Sequence, residues 1–298
     1  MAVNPVTPPV PPNSNYQRAM YIWLNPDPIG TDANLQNLLN FSRDNGVNCW
    51  FLDMWSYLGG SNYTTTKQSR MQLALDNAHK SGITVYALCG NTDWPVNQQW
   101  VMKNIIQPLR KFNNLAVDSS KQFDGIHFDV EYWTDQNLNP AVYLPGLCDL
   151  AKAARKALDK SVGCFASFFL KDNSGTRPPI NYNGKSAQDG EHMMDVFDHV
   201  VVGAYRDHAD DNGTDGPGQK TLFQPWYDYA AGVGRNFGLF CGSETMNVSP
   251  SYITYYGQGK TYMEQQHTLI SQTFAVPTNA VFLGQAIHNY DSYRSMGA

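Results

Sequence analysis

The sequence predicts an α/β protein built as a single (β/α)8 TIM barrel, and three observations predict it. The first is length: 298 residues are too many for a two-layer domain and suit one barrel, which usually takes about 250 residues. The second is alternation, in which short β-branched and aromatic runs take turns with longer segments of helical period. The third is an asymmetry of loops. Turns entering strands are brief, as at Asp44-Asn45-Gly46 and Ser81-Gly82, whereas loops leaving strands are long and rich in Gly, Asn and aromatics. In a βα barrel all the exit loops emerge at the C-terminal face, where active sites sit.

In chain order, residues 1–15 are Pro- and Asn-rich without periodicity and are expected to form a tail or linker, leaving 16–298 for the barrel. The first strand is expected at 20–24, then a helix at 33–44. The turn Asp44-Asn45-Gly46 leads into strand 47–55, followed by helix 68–80. Ser81-Gly82 leads into strand 84–89 and helix 97–112. Strand 125–133 precedes helix 141–159, and Asp159-Lys160 leads into strand 161–170. Helix 186–197, strand 199–207, helix 219–233, strand 237–244, helix 260–274 and strand 280–288 complete the repeat. Strands alternating with helices make a parallel sheet, and eight strands close a barrel. Ten residues follow 288, so the last helix is expected to be short or missing. A doubly wound open sheet is the rival, but no GxGxxG or GxxxxGK[ST] follows a strand.

Composition narrows the function. Charged residues are 16% and apolar residues 42%, which places the chain among globular proteins. A net charge of −5 without any basic run argues against nucleic acid and anionic membrane as partners. No apolar stretch approaches the ~20 residues of a membrane span. The opening MAVNPVTPPVPPNSN has neither a basic n-region nor an apolar h-region, so it does not read as a signal peptide; a secreted protein whose signal has been removed would look the same. A monomer is expected. The five cysteines, Cys49, Cys89, Cys148, Cys164 and Cys241, lie in apolar segments without a CxxC pair and read as buried free thiols.

The most informative run is Phe123-Asp124-Gly125-Ile126-His127-Phe128-Asp129-Val130-Glu131-Tyr132-Trp133. With a strand period of two, Ile126, Phe128 and Val130 face one way and His127, Asp129 and Glu131 the other. The apolar set must face the helices, so the polar set lines the interior. Asp129 and Glu131 then project from one side, about 6.6 Å apart along the strand, and resist ionising together. Three ionisable residues facing inward cost too much for packing alone.

The run resembles the DxxDxDxE signature of glycoside hydrolase family 18, the chitinase-like barrels. Asp124, Asp129 and Glu131 match its first, third and last positions, and His127 stands in place of its second Asp. The resemblance implies that Glu131 is the general acid and that Asp129 orients the substrate's N-acetyl group, whose oxygen is the internal nucleophile. Ala204-Tyr205-Arg206-Asp207 resembles the family's MxYD segment with an Arg inserted before the Asp, and Tyr205 matches the Tyr that bonds the acetamido group. The set GIHFDVEYW, GAYRD, GSET and AIHNYDSY is similar to a bacterial branch of such barrels and spans most of the chain; the first motif is the specific one. At the divergent position, His127 is expected either to donate a hydrogen bond to Asp129 or to carry a positive charge below it, holding it ionised, or else to fill the barrel centre.

A second constellation competes. Glu244 shares a strand face with Gly238, Phe240 and Gly242 and also reaches the mouth. A Glu on strand four and a Glu on strand seven is the arrangement of another clan of retaining glycosidases, with carboxylates about 5–5.5 Å apart. That clan has Asn before its acid/base Glu, where this chain has Val130. Glu244 is thus either a nucleophile or a substrate-binding or salt-bridged residue. Asp53, which ends strand two, and Asp93, which follows strand three, are each a turn or helix-cap residue or a substrate ligand; His288, at the end of strand eight, is a substrate contact or a satisfied barrel histidine; Asp207 is a further substrate-binding candidate. His288 is expected inward with Phe282, Gly284 and Ala286.

Aromatics form 13% of the chain. Trp55, Trp94, Trp133 and Tyr290, with Tyr57, Tyr63, Tyr132, Tyr182, Tyr252, Tyr255 and Tyr256, fall in or beside the exit loops, and rings with polar tips suit sugars. No HxH, HExxH or GxSxG pattern occurs, so no metal or cofactor is expected. The expected function is a glycosidase acting on a polymer or oligomer containing N-acetylated amino sugars. A carbohydrate-binding barrel without catalysis and a metal-dependent hydrolase are the alternatives.

Overall fold

The computed structural model describes residues 16–59, 63–175, 177–212, 214–233, 236–276 and 281–297. The expected tail at 1–15 and the start of the eighth strand at Ala280 lie outside the described residues. The described residues form ten strands: β1 Gln17–Ile22, β2 Cys49–Asp53, β3 Thr84–Cys89, β4 Gly125–Phe128, β5 Ser161–Ser167, β6 Ile180–Tyr182, β7 Lys185–Ala187, β8 His199–Gly203, β9 Gly238–Glu244 and β10 Phe282–His288. Eight of them close a barrel in the order β1-β10-β9-β8-β5-β4-β3-β2, with every neighbouring pair parallel. Strands β6 and β7 form an antiparallel hairpin inside the loop after β5, an insertion too short to announce itself in the sequence pattern.

The helices alternate with the strands as expected. The helix Asp32–Asp44 shows why: Thr31 caps it by accepting from the Asn34 N–H at 3.1 Å, with Asp32 in its first turn and Arg43 in its last. The segment expected at 97–112 runs as Gln98–Val101, a π turn Met102–Ile106 and Gln107–Leu115. Pro108 has no N–H to return to Asn104, and the helix widens there. The last helix, Tyr290–Ser295, is short. Among the described residues no helix is long and apolar enough to cross a membrane.

Side chains sort into two shells. Ile126, Phe128 and Val130 join the large outer cluster between sheet and helices, whereas Tyr21, Phe51, Leu88, Phe165, Val201 and Phe240 fill the barrel itself. All five cysteines are buried and free. The interior is crowded with rings, and small residues admit them: a Cβ at Gly163 would lie 1.9 Å from His199 Nε2. One alternation fails. Between Phe282 and Gly284 the register of β10 against β9 shifts, and Gly284 takes a φ of 141°. Phe282 therefore packs outward against Phe223 and Phe274, not into the barrel, while Ala286 stays in the inner cluster.

Candidate active site

Strand β4 ends at Phe128, earlier than expected, and Asp129 and Glu131 stand just beyond it at the C-terminal mouth. The Asp129 N–H still bonds the Cys89 carbonyl at 3.0 Å, so the alternation survives past the strand. Its backbone is held by close contact: a Cβ at Gly90 would sit 1.8 Å from the Asp129 carbonyl oxygen, so only glycine fits there. Burial raises the Asp129 carboxyl above its ordinary range, and His288 works the other way when its ring is protonated. Burial and the charge of Asp129 together push Glu131 up to about 7, opposed by His288 and by a hydrogen bond from the Trp133 side chain. The Trp133 ring packs at 6.2 Å from Phe165, fixing the indole beside the carboxyl.

Across the mouth, Glu244 is tied down on both oxygens. Its Oε1 accepts from the Thr245 and Met246 N–H groups at 2.8 and 2.7 Å, and its Oε2 pairs with His288 Nδ1 at 2.9 Å. His288 Nε2 accepts from the Trp23 indole at 3.2 Å, which requires the neutral ring with its proton on Nδ1. Burial works to lower the His288 pKa, but the bond to Glu244 and the charges of Glu244, Asp129 and Glu131 outweigh it and raise it. Taking up a second proton at Nε2 therefore breaks the Trp23 bond. Tyr205, ringed by Glu244, Asp129 and Glu131, has its hydroxyl pushed far up by burial and by those charges.

Below this layer, His127 occupies the barrel axis. Its Nε2 lies 2.9 Å from the Tyr21 hydroxyl and its Nδ1 lies 3.1 Å from His199 Nε2. Both nitrogens are taken, so none remains for Asp129, and burial with His199 holds its pKa well below the usual value. The expectation that His127 carries charge or donates to Asp129 is thus corrected: it is a neutral ring bonded to two other strands. Asp124, the first position of the run, stands apart from the site. It sits at the opposite end of the barrel, where Oδ2 accepts from the Val85 N–H at 2.7 Å and meets His79 Nε2 at 2.9 Å. It joins the starts of β3 and β4 and takes no part in the mouth.

The other candidates divide. Asp53 caps the short helix after β2, accepting from the Trp55 N–H at 2.8 Å and from Ser56 Oγ at 3.3 Å, and burial raises its carboxyl. It lines a cavity of about 410 Å³ beside Gly90, together with Trp23, Trp55, Trp94 and Trp100. Trp55 and Trp100 are 40% and 49% exposed with ring centroids 6.3 Å apart, whereas Trp94 is buried and forms only part of the wall. Asp207 is committed to neighbours: it pairs with His208 at 2.7 Å and accepts from Gln258 at 3.0 Å, while the adjacent Arg206 stacks over Phe168 and Tyr252. Tyr290 is buried against Phe41 at 5.3 Å and does not face the mouth. Tyr57, Tyr132, Tyr182 and Tyr255 are likewise buried. Tyr21, Trp23 and Trp100 escaped sequence reasoning; the first two sit in a run apolar on both faces, and Trp100 lies within a helical stretch. Among the described residues no group of three His, Cys, Asp or Glu side chains could hold a metal ion.

No protein-family model matches the chain, and no curated protein matches it in sequence. Solved structures do match. A family 18 chitinase from Pseudoalteromonas aurantia is 13% identical with a TM-score of 0.52, over 93% of this chain and 94% of that one. A chitinase from Bacteroides thetaiotaomicron is 13% identical with a TM-score of 0.55, over 93% and 90%. What these structures share with the chain is the closed (β/α)8 barrel fold. It is shared more widely: a β-mannanase from the blue mussel Mytilus edulis is 10% identical with a TM-score of 0.56, over 93% and 89%.

Proposed function

We propose that the protein is a glycoside hydrolase for a polymer or oligomer of N-acetylated amino sugars, with Glu131 as proton donor. The observation that carries this reading is the pair at the mouth: Asp129 and Glu131 side by side, with Glu131 retaining its proton to about 7. A carboxyl protonated near neutrality beside a second carboxyl suits acid-assisted cleavage of a glycosidic bond. The names of the similar barrels, two of the three chitinases, support the same class.

The steps follow from the residues. Glu131 gives its proton to the glycosidic oxygen as the C–O bond breaks. The acetamido oxygen of the same sugar closes on the anomeric carbon, giving an oxazolinium. Asp129 faces the acetamido nitrogen and stabilises the positive charge that develops, and the Tyr205 hydroxyl bonds the acetamido group. Glu131, now a carboxylate, takes a proton from water as the water opens the oxazolinium.

The arrangement around Glu244 supports this route over double displacement. A nucleophilic carboxylate needs an oxygen free to reach the anomeric carbon, and both Glu244 oxygens are committed to Thr245, Met246 and His288. The deciding experiment compares two β-linked oligosaccharides, one of N-acetylglucosamine and one of mannose. Turnover confined to the acetylated substrate is the expected result. Efficient cleavage of the mannose oligomer, with its plain 2-hydroxyl, selects double displacement, and binding of either without cleavage selects a sugar-binding barrel.

A further inference from the structure

Four of the seven tryptophans gather in a place that the steps above do not use. Trp23 follows β1, Trp55 opens the short helix after β2, and Trp94 and Trp100 lie in the helical turns after β3. With Asp53 and Gly90 they line the cavity of about 410 Å³, a volume that suits a small ligand group. The cavity adjoins the carboxyl pair. Gly90 packs against the Asp129 backbone, the Trp23 indole is bonded to His288, and β3 is the barrel neighbour of β4. A glycan held over Asp129 and Glu131 therefore has its next unit within reach of these indoles. Trp55 and Trp100, both exposed, meet with ring planes 41° apart and form one slanted face, and the buried Trp94 forms part of the wall behind.

The wall is aromatic, and its one charged side chain is an anion. Asp53 is the only Asp, Glu, Lys, Arg or His in the lining. The largest charge acting on it is that of Asp27, a second anion. Among the described residues no cation pairs with Asp53. Lys67, on the following helix, gives its Nζ to the Ser56 carbonyl at 2.8 Å, and Arg70 holds the Ile29 carbonyl and Asp32. The bonds from Trp55 and Ser56 leave the Asp53 oxygens with lone pairs for a further donor.

A unit that covers this cavity takes water away from Asp53. Under a neutral sugar the carboxylate is left desolvated and unpaired, or has to take up a proton. Under a cationic sugar it gains a partner. The indoles act in the same direction, because a cation over an indole face is attracted by the ring quadrupole, and cages of aromatic rings are a recurrent way of binding ammonium groups. An acetamido group is neutral and draws on neither effect.

We propose that this cavity is a subsite for a protonated amino sugar, a glucosaminium unit flanking the N-acetylated unit over Asp129 and Glu131. Asp53 accepts from the ammonium, and Trp55 and Trp100 pack against the sugar. The substrate class that follows is a partly deacetylated polymer. The place of the unit beside a cleaved bond rests on the glycosidase reading; the affinity of the cavity for an ammonium sugar does not.

The experiment follows tryptophan fluorescence in Glu131→Gln protein, in mildly acidic buffer that keeps sugar amines charged. The probes are the β-linked disaccharides of glucosamine with N-acetylglucosamine in both orders, the diacetylated disaccharide, and choline. One of the two mixed disaccharides is expected to bind about 10-fold more tightly than the diacetylated one. Choline, a cation without a sugar ring, should bind more weakly than that mixed disaccharide, and equal affinity overturns the assignment to a sugar. Asp53→Asn keeps an oxygen for the Trp55 N–H and removes the charge, so the gap should close to less than about 2-fold. Trp100→Ala, at an exposed position, should weaken the mixed disaccharide several-fold. Equal binding of mixed and diacetylated probes, or a preference that survives Asp53→Asn, overturns the proposal. Wild-type protein acting on a partly deacetylated polymer should leave products with glucosamine enriched on one side of the cut, and random flanks contradict the subsite. No cleavage of any polymer, with the binding preference intact, defeats the glycosidase reading and leaves the ammonium site standing.

Discussion

Glu131 and Glu244 are both glutamates at the mouth, and their surroundings separate them. Glu131 is buried beside a neighbouring carboxyl, and the two together leave it protonated to about 7 against the opposing bond from the Trp133 indole. Glu244 has two backbone N–H groups and the imidazole of His288, which hold its carboxyl in one orientation. Glu244→Gln preserves an acceptor for Thr245 and Met246 but sets an amide against His288 Nδ1. If that ring is to accept from the amide, its proton moves from Nδ1 to Nε2 and the Trp23 bond is lost. Turnover of an acetylated substrate is expected to fall less than about 10-fold, with a rise in KM, and added azide should not rescue it. Abolished turnover restored by azide contradicts the assignment and makes Glu244 the nucleophile. The same surroundings explain what escaped the sequence. The alternation in 126–131 made the inward trio legible. The partners of His127 were not, because Tyr21 and His199 come from strands 106 and 72 residues away.

Among elements, β1 is anchored from outside the barrel by charge. The Arg18 guanidinium donates to Glu264 Oε2 at 2.7 Å and to the Tyr293 hydroxyl at 3.2 Å, linking the strand to the helix Lys260–Phe274 and to the last helix. Arg18→Met strands a buried carboxylate, and stability is expected to drop by about 3–5 kcal/mol, read from urea unfolding. Arg18→Met with Glu264→Leu should recover most of that loss, and a double variant no better than the single contradicts the account. Element order was legible because each helix and strand follows its own period. Strand ends were not: residues 129–133, 168–170 and 204–207 keep strand-like composition but leave the sheet, since exit loops carry the chemistry. The aromatic exit loops misled for a related reason. Tyr57, Tyr132, Tyr182, Tyr255 and Tyr290 turn down into the packing, and composition does not tell a ring facing solvent from one facing a helix.

For the whole molecule, Glu131 couples stability to pH. Its folded-state pKa of about 7 lies above the ordinary 4.5, so its contribution is fully present below 4.5 and is lost as pH rises through 7. Glu131→Gln does not titrate. It is expected to match the wild type at pH 4 and to exceed it at pH 8 by an amount on the order of 2 kcal/mol, visible as a higher Tm. An equal Tm at both pH values contradicts a buried, proton-retaining Glu131. With Glu131 as the proposed proton donor, the barrel gives up stability at its mouth to keep that proton.

The measurement that bears most directly on the central claim is the pH–rate profile of the wild type and of Glu131→Gln on a β-linked N-acetylglucosamine oligosaccharide. The wild type should turn over, with kcat/KM falling as pH rises through about 7 because the donor loses its proton. The variant should be slower by ~10²-fold or more and should lack that basic limb. Wild-type turnover that persists unchanged well above pH 7, or a variant as fast as the wild type, would contradict Glu131 as the proton donor.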